Sequence, residues 1–173
     1  MNSRTVVAIF AATLAACSTK PSRKPPPWRH TRTTFDVGAW AKACGKEWTN
    51  EPRLLIWNSR EYDAHGSVRT HVSCAASFRE DGQLRSLDVK LDAPPDEIAR
   101  MLPQRLALIA DEVPADVAER ARTLAAEPAQ QLEHEVESVV GPFHVFVVTA
   151  PRSEYILPHS AATSLSIEIA TWE

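Results

Sequence analysis

Few side chains in this sequence stand at a spacing that chemistry would use. Glu61-Tyr62-Asp63-Ala64-His65 puts three ligand-capable residues at alternate positions, and alternate residues share one face of an extended segment. Two carboxylates and an imidazole suit a divalent metal or a hydrolytic centre, but ligation needs convergence from several elements. Glu61, Asp63 and His65 would therefore need a distant partner such as His144 or His159. The competing reading of the cluster is a polar hairpin loop. Glu133-His134-Glu135 invites proton transfer, yet strand alternation sends His134 to the face opposite both glutamates. His71 stands on the polar side of its strand and His144 follows Phe143, neither with a partner that sequence identifies. There is no Gly-x-Ser-x-Gly, no His-Glu-x-x-His and no Cys-x-x-Cys, and five glycines are too few for a phosphate-cradling loop. No catalytic residue and no cofactor is assigned on this basis; the metal reading stays as the alternative.

The chain has three cysteines. Cys44 and Cys74 fall on apolar faces of a helix pattern and a strand pattern, which predicts one structural disulfide if the protein is exported. Closing a loop of about 30 residues would add about 3–4 kcal/mol of stability in the chain-entropy model.

Cys17 belongs to a different pattern. Met-Asn-Ser-Arg precedes an apolar stretch from Thr5 to Ala16, too short for a permanent membrane span of about 20 residues and laid out like an export signal. Its end, Leu14-Ala15-Ala16-Cys17, resembles the lipobox of bacterial lipoproteins. The resemblance covers about the first 18 residues and identifies an export route. It implies that residues 1–16 are a signal peptide cut before Cys17, and that Cys17 carries a diacylglyceryl group and receives further acylation. Two or more acyl chains hold where one binds only marginally, at about 0.8 kcal/mol per buried methylene. Ser18 in place of an inner-membrane retention Asp implies the outer membrane, facing the periplasm, in a Gram-negative source.

Charge divides the same way. Residues 18–35 hold Lys20, Arg23, Lys24, Arg29 and Arg32, four prolines and no acid, whereas 36–173 hold 13 basic residues against all 22 acids. This predicts a lipidated Cys and a Pro-rich basic tether over 17–35, with an acidic globular domain over 36–173. An acidic body disfavours phosphate backbones, so nucleic acid is excluded as a partner, while a basic tether suits an anionic membrane surface.

The elements that must position any site follow from periodicity. Asp36 caps a short helix with Val37, Trp40, Ala41 and Cys44 on one stripe and Gly45 at its end. Residues 53–58 suit a strand, Val68 to Phe78 alternate cleanly, Asp81-Gly82 turns the chain, and Leu87, Val89 and Leu91 continue a three-stranded meander. Pro94-Pro95 opens a helix that Pro103 should kink or break, and Pro114 opens another. Period two then returns over 132–140, 143–149 and 163–172. The expectation is an α+β domain with a mostly antiparallel sheet of about six strands in two three-stranded groups, one N-terminal helix, and a helical pair between the groups.

The 59–66 and 150–163 segments are the exposed connections. The second places Tyr155, Ile156 and Leu157 between prolines, where they would anchor a partner or fold back onto the sheet. These features together lead to the expectation of a membrane-anchored, non-catalytic protein-binding module: an inhibitor, an immunity protein or an accessory subunit of an envelope assembly. It would meet its partner through an edge strand or through loops carrying Tyr62, Asp63, Tyr155, Ile156 and Leu157.

Overall fold

The structure, a computed structural model, describes residues 28–126, 134–151 and 163–171. Among these, three helices and seven strands follow in the order α1 (Val37–Cys44), β1 (Lys46–Glu51), β2 (Leu54–Tyr62), β3 (Val68–Phe78), β4 (Leu84–Ala93), α2 (Pro95–Glu112), α3 (Ala115–Ala125), β5 (His134–Val140), β6 (Phe143–Pro151) and β7 (Thr163–Thr171). The strands form one antiparallel sheet, ordered β1-β2-β3-β4-β7-β6-β5.

This corrects the expected sheet in two respects. The two groups are fused, because β7 returns beside β4 and pairs with it from Ser86↔Ala170 to Ala93↔Thr163. A seventh strand, β1, was not legible: Lys-Glu-Trp-Thr-Asn-Glu carries no apolar alternation, since an edge strand needs none.

Alternation fixes what each face of the sheet meets. Trp57, Cys74, Val89, Ile167 and Val147 stand in one row across β2, β3, β4, β7 and β6, all buried in a single apolar cluster with Trp40, Ile98, Leu106, Ile109, Val117 and Leu124 of the helices. All three helices therefore lie on one face. Asp36 accepts from the Ala39 amide at 2.9 Å to start α1. Gly45 ends it with φ +101°, and a Cβ there would lie 2.5 Å from the Asn58 carbonyl oxygen, so only glycine fits this reversal into β1. The Cys44–Cys74 disulfide joins α1 to β3 across a Cα separation of 5.9 Å.

The expected break at Pro103 does not occur; α2 runs from Pro95 to Glu112 as one helix. Pro103 stands on its exposed side, where a carbonyl deprived of its amide partner can tilt toward solvent, which limits the usual cost. Arg105 crosses the core side of α2 and donates to the carbonyl oxygen of Ala43 and, at 3.2 Å, to that of Met101. Burial lowers its pKa, with Arg100 adding to the effect.

The domain begins earlier than residue 36. Trp28 and Phe35, assigned to the tether by their prolines and charge, are buried. Phe35 stacks on Trp40 and Trp57 and meets Phe78 edge-on, with centroids 5.5, 6.1 and 5.6 Å apart. Trp28 packs edge-on against Phe143 at 4.8 Å and donates its indole N–H to Thr171 at 3.2 Å. An indole and a phenyl ring bury more apolar surface than a linker can leave in water, which is why this segment joins the core. Glu112 fastens the same segment: its carbonyl accepts from the Arg29 amide at 3.0 Å and its carboxylate lies 2.9 Å from His30 Nδ1. Burial pushes the Glu112 carboxyl up, while the His30 bond opposes that shift.

Candidate functional site

The other face of the sheet meets no helix among the described residues. Its side chains fall into rows fixed by the register. One row reads Lys46, Asn58, Ser73, Lys90, Ser166, Val148, Glu135 from the β1 edge to the β5 edge. The next reads Thr49, Ile56, Ala75, Asp88, Glu168, Phe146, Glu137. On the strands flanking β4 this face carries the small Ser73, Ala75 and Ser77 of β3 and Ser166 and Ala170 of β7 beside Glu168, between the larger Ile56 of β2 and Phe146 of β6.

Charge along these rows is not evenly spread. Lys46 and Arg60 are exposed near the β1 edge, and Glu135, Glu137 and Glu168 are exposed toward the β5 edge. At the centre Asp88 stands directly opposite Glu168, an arrangement of like charges that costs stability. Burial first, and then Glu168, pushes the Asp88 carboxyl up to about 6, against the opposing effects of Lys90 and a hydrogen bond from Ser166. His71 lies 3.1 Å from Asp92 across the β3–β4 pair, and His144 lies 2.8 Å from Glu137.

At the β1 end, Trp48 and Tyr62 are 71% and 59% exposed. They line one shallow depression with Lys46, Asn58 and Arg60. Trp48 sits where the β1–β2 register shifts between Glu47 and Thr49, a bulge that turns an edge strand away from further pairing. Trp, Tyr and Arg are the residue types that dominate binding energy at protein interfaces.

The sequence-derived candidates are placed differently. Glu61 ends β2 opposite Thr70, so the 59–66 segment expected as a loop is half strand. Asp63 spends its carboxylate on its own turn, accepting from the amides of His65 at 2.8 Å and Ser67 at 2.9 Å, and these bonds, Ser67 foremost, lower its pKa. Among the described residues no three His, Cys, Asp or Glu side chains converge as a metal site, so Glu61, Asp63 and His65 are not brought together as ligands. Cys17, Tyr155, Ile156, Leu157 and His159 lie outside the described residues.

Trp48 was missed because its strand was missed, and Asp88 because its conflict with Glu168 exists only once β4 and β7 are paired. Thr70 and Arg69 donating to the buried carboxylate of Glu97, the former at 2.8 Å, form a further polar cluster that fastens α2 to β3. On the helical side, an apolar groove of about 750 Å³ runs between α2 and α3, lined by Ile98, Leu102, Leu106, Ala126 and Thr163. No family model matches this chain, and no curated protein or solved structure is significantly similar to it.

Proposed function

We propose that this chain is a lipid-anchored, non-catalytic protein-binding module of a bacterial cell envelope, held in the outer membrane and facing the periplasm, and that it binds through the face of the sheet opposite the helices. The observation that carries the reading is the asymmetry of that sheet: one face is sealed by helices, the other is uncovered among the described residues and bordered by exposed Trp48 and Tyr62. The resemblance of Leu14-Ala15-Ala16-Cys17 to a lipobox supports the anchor, and a disulfide suits an oxidising compartment. Both sheet edges are charged, with Lys46, Glu47 and Glu51 on β1 and Glu135 and Glu137 on β5. Such edges resist strand addition, so the face rather than an edge is the docking surface. An inhibitor, an immunity protein or an accessory subunit of an envelope assembly fits this arrangement.

Two experiments test the reading. A photo-crosslinking residue at Ser166, in the middle of the face, should give an adduct in intact envelopes, and one at Ala107 on the helical side should not; no adduct from Ser166 would remove the binding face. Radiolabelled palmitate should enter the wild-type chain and not Cys17→Ser. Equal labelling of the two would remove the anchor.

A further inference from the structure

We infer that the depression lined by Trp48 and Tyr62, at the β1 end of the uncovered face, receives an acidic peptide segment of the protein partner, with a carboxylate of that segment held between Lys46 and Arg60. The inference rests on the reading of that face as a binding surface and names the chemistry it selects.

The first observation is what stays in water. Trp48, Tyr62 and Val139 are the large hydrophobic side chains left exposed among the described residues, and the first two share a depression of about 500 Å³ with Lys46, Asn58, Ser59 and Arg60. Adjoining exposed aromatic rings rimmed by polar groups mark an interaction site. An indole and a phenol bury a large area at low rotamer cost once a partner covers them. Small-molecule sites enclose most of their ligand, whereas this one is shallow, so what it holds belongs to a larger body that continues across the face.

The second observation is charge. Over residues 36–173 acids outnumber bases 22 to 13, yet among the described residues two cations and no carboxylate line this depression. Neither Lys46 nor Arg60 makes an ion pair among the described residues. The nearby acids are directed elsewhere. Glu47 pairs opposite buried Trp57 and Glu61 opposite buried Thr70, which puts both on the helical side of the sheet. Glu51 stands opposite Leu54 at the far end of β1, and Asp63 accepts from the amides of its own turn. In the row of Arg60, the carboxylate of Asp92 is engaged by His71.

A guanidinium fork and an ammonium without partners fit a carboxylate. Only Asn58 and Ser59 add uncharged polar groups, so charge, rather than an array of hydrogen bonds to hydroxyl groups, sets what is selected. The acidic body limits the choice further. A polyphosphate, or a partner acidic over its whole surface, meets repulsion from the rest of the domain. A short acidic segment on a neutral or basic partner does not, and the two cations fix where on the face it docks.

A photo-crosslinker carried on an aromatic side chain in place of Tyr62 is expected to join the full chain, in intact envelopes, to a partner segment rich in aspartate and glutamate, read by mass spectrometry of the digested adduct. Arg60→Glu should reduce that adduct by at least about tenfold, and Trp48→Ala by about as much; both positions are exposed, so the circular dichroism should remain that of the wild type. In solution, a dansyl-labelled octapeptide alternating glutamate and leucine should bind the purified full chain with a Kd below about 1 mM. Its glutamine counterpart should bind at least about tenfold more weakly, and the difference should shrink as salt rises. Equal binding of the two peptides, or binding of neither, overturns the inference. A Tyr62 adduct with a basic or neutral segment overturns it as well, and so does an adduct containing hexosamine, which would make the ligand an anionic glycan. The crosslinker at Ser166 separates the two failures. An adduct from Ser166 with none from Tyr62 overturns the acidic contact and leaves the binding face in place, and no adduct from either position removes both.

Discussion

The two faces of the sheet are made by the same strands, residue by alternate residue, and they obey different rules. On the covered face the row Trp57, Cys74, Val89, Ile167, Val147 is buried in the apolar cluster, and burial, with the disulfide at Cys74, decides which residue stands there. On the other, Lys46, Asn58, Ser73, Lys90, Ser166, Val148 and Glu135 share a row, and what matters is which residue stands beside which. One face holds the fold together. The other spends stability, in the opposed carboxylates of Asp88 and Glu168, without any gain to the fold.

Substitutions should separate the faces by the size of their effects. Trp57→Ala on the covered face should cost about 3–5 kcal/mol in denaturant unfolding; a cost below about 1 kcal/mol would mean that the helices do not seal this face. Next, Cys74→Ala should cost about 3–4 kcal/mol under oxidising conditions, and reductant should lower the wild type to the same level while leaving the variant unchanged. Unequal responses would mean that cavity formation rather than the cross-link sets the value.

Asp88→Asn should act in the opposite direction. The folded Asp88 carboxyl titrates near 6 and the unfolded one near 3.8. Between those values the folded protein binds more protons, so stability from this group is present at low pH and is lost as pH rises through 6. The variant should gain about 1–2 kcal/mol at pH 7, allowing for the partial exposure of the site, and should lose that advantage near pH 4. Thermal unfolding followed from pH 4 to 8 at fixed protein concentration measures this; parallel curves for the two proteins would place the ionisation elsewhere. The smallest effect is expected for Ser73→Ala, within about 0.5 kcal/mol. A larger loss would mean that Ser73 is engaged in holding the fold and that the faces differ less than described.

The same division explains what could be read in advance. The disulfide was legible because Cys44 and Cys74 both sit in apolar stripes, and β3 because Val68 to Phe78 alternate without a break. Asp36 and Gly45 marked α1 by their local chemistry. Trp28 and Phe35 were hidden by the prolines and cations around them, since composition averages over a segment and a single indole escapes the average. β1 was hidden because an edge strand with little burial has no period to show. The candidate face was hidden for a deeper reason: its rows combine residues as distant as Lys46 and Glu135, and only pairing brings them to one line. At residues 61–65 the limit acts in reverse, because spacing alone does not show that Asp63 accepts from the amides of its own turn.

Where Cys17 carries an anchor, ten residues separate it from Trp28, a leash of at most about 35 Å. The leash ends in an indole plugged between Phe143 and Thr171, at the ends of β6 and β7. A force transmitted from the bilayer must pull that plug free before it reaches any strand pairing, and each further residue drawn out would lengthen the domain's radius of action above the lipid surface.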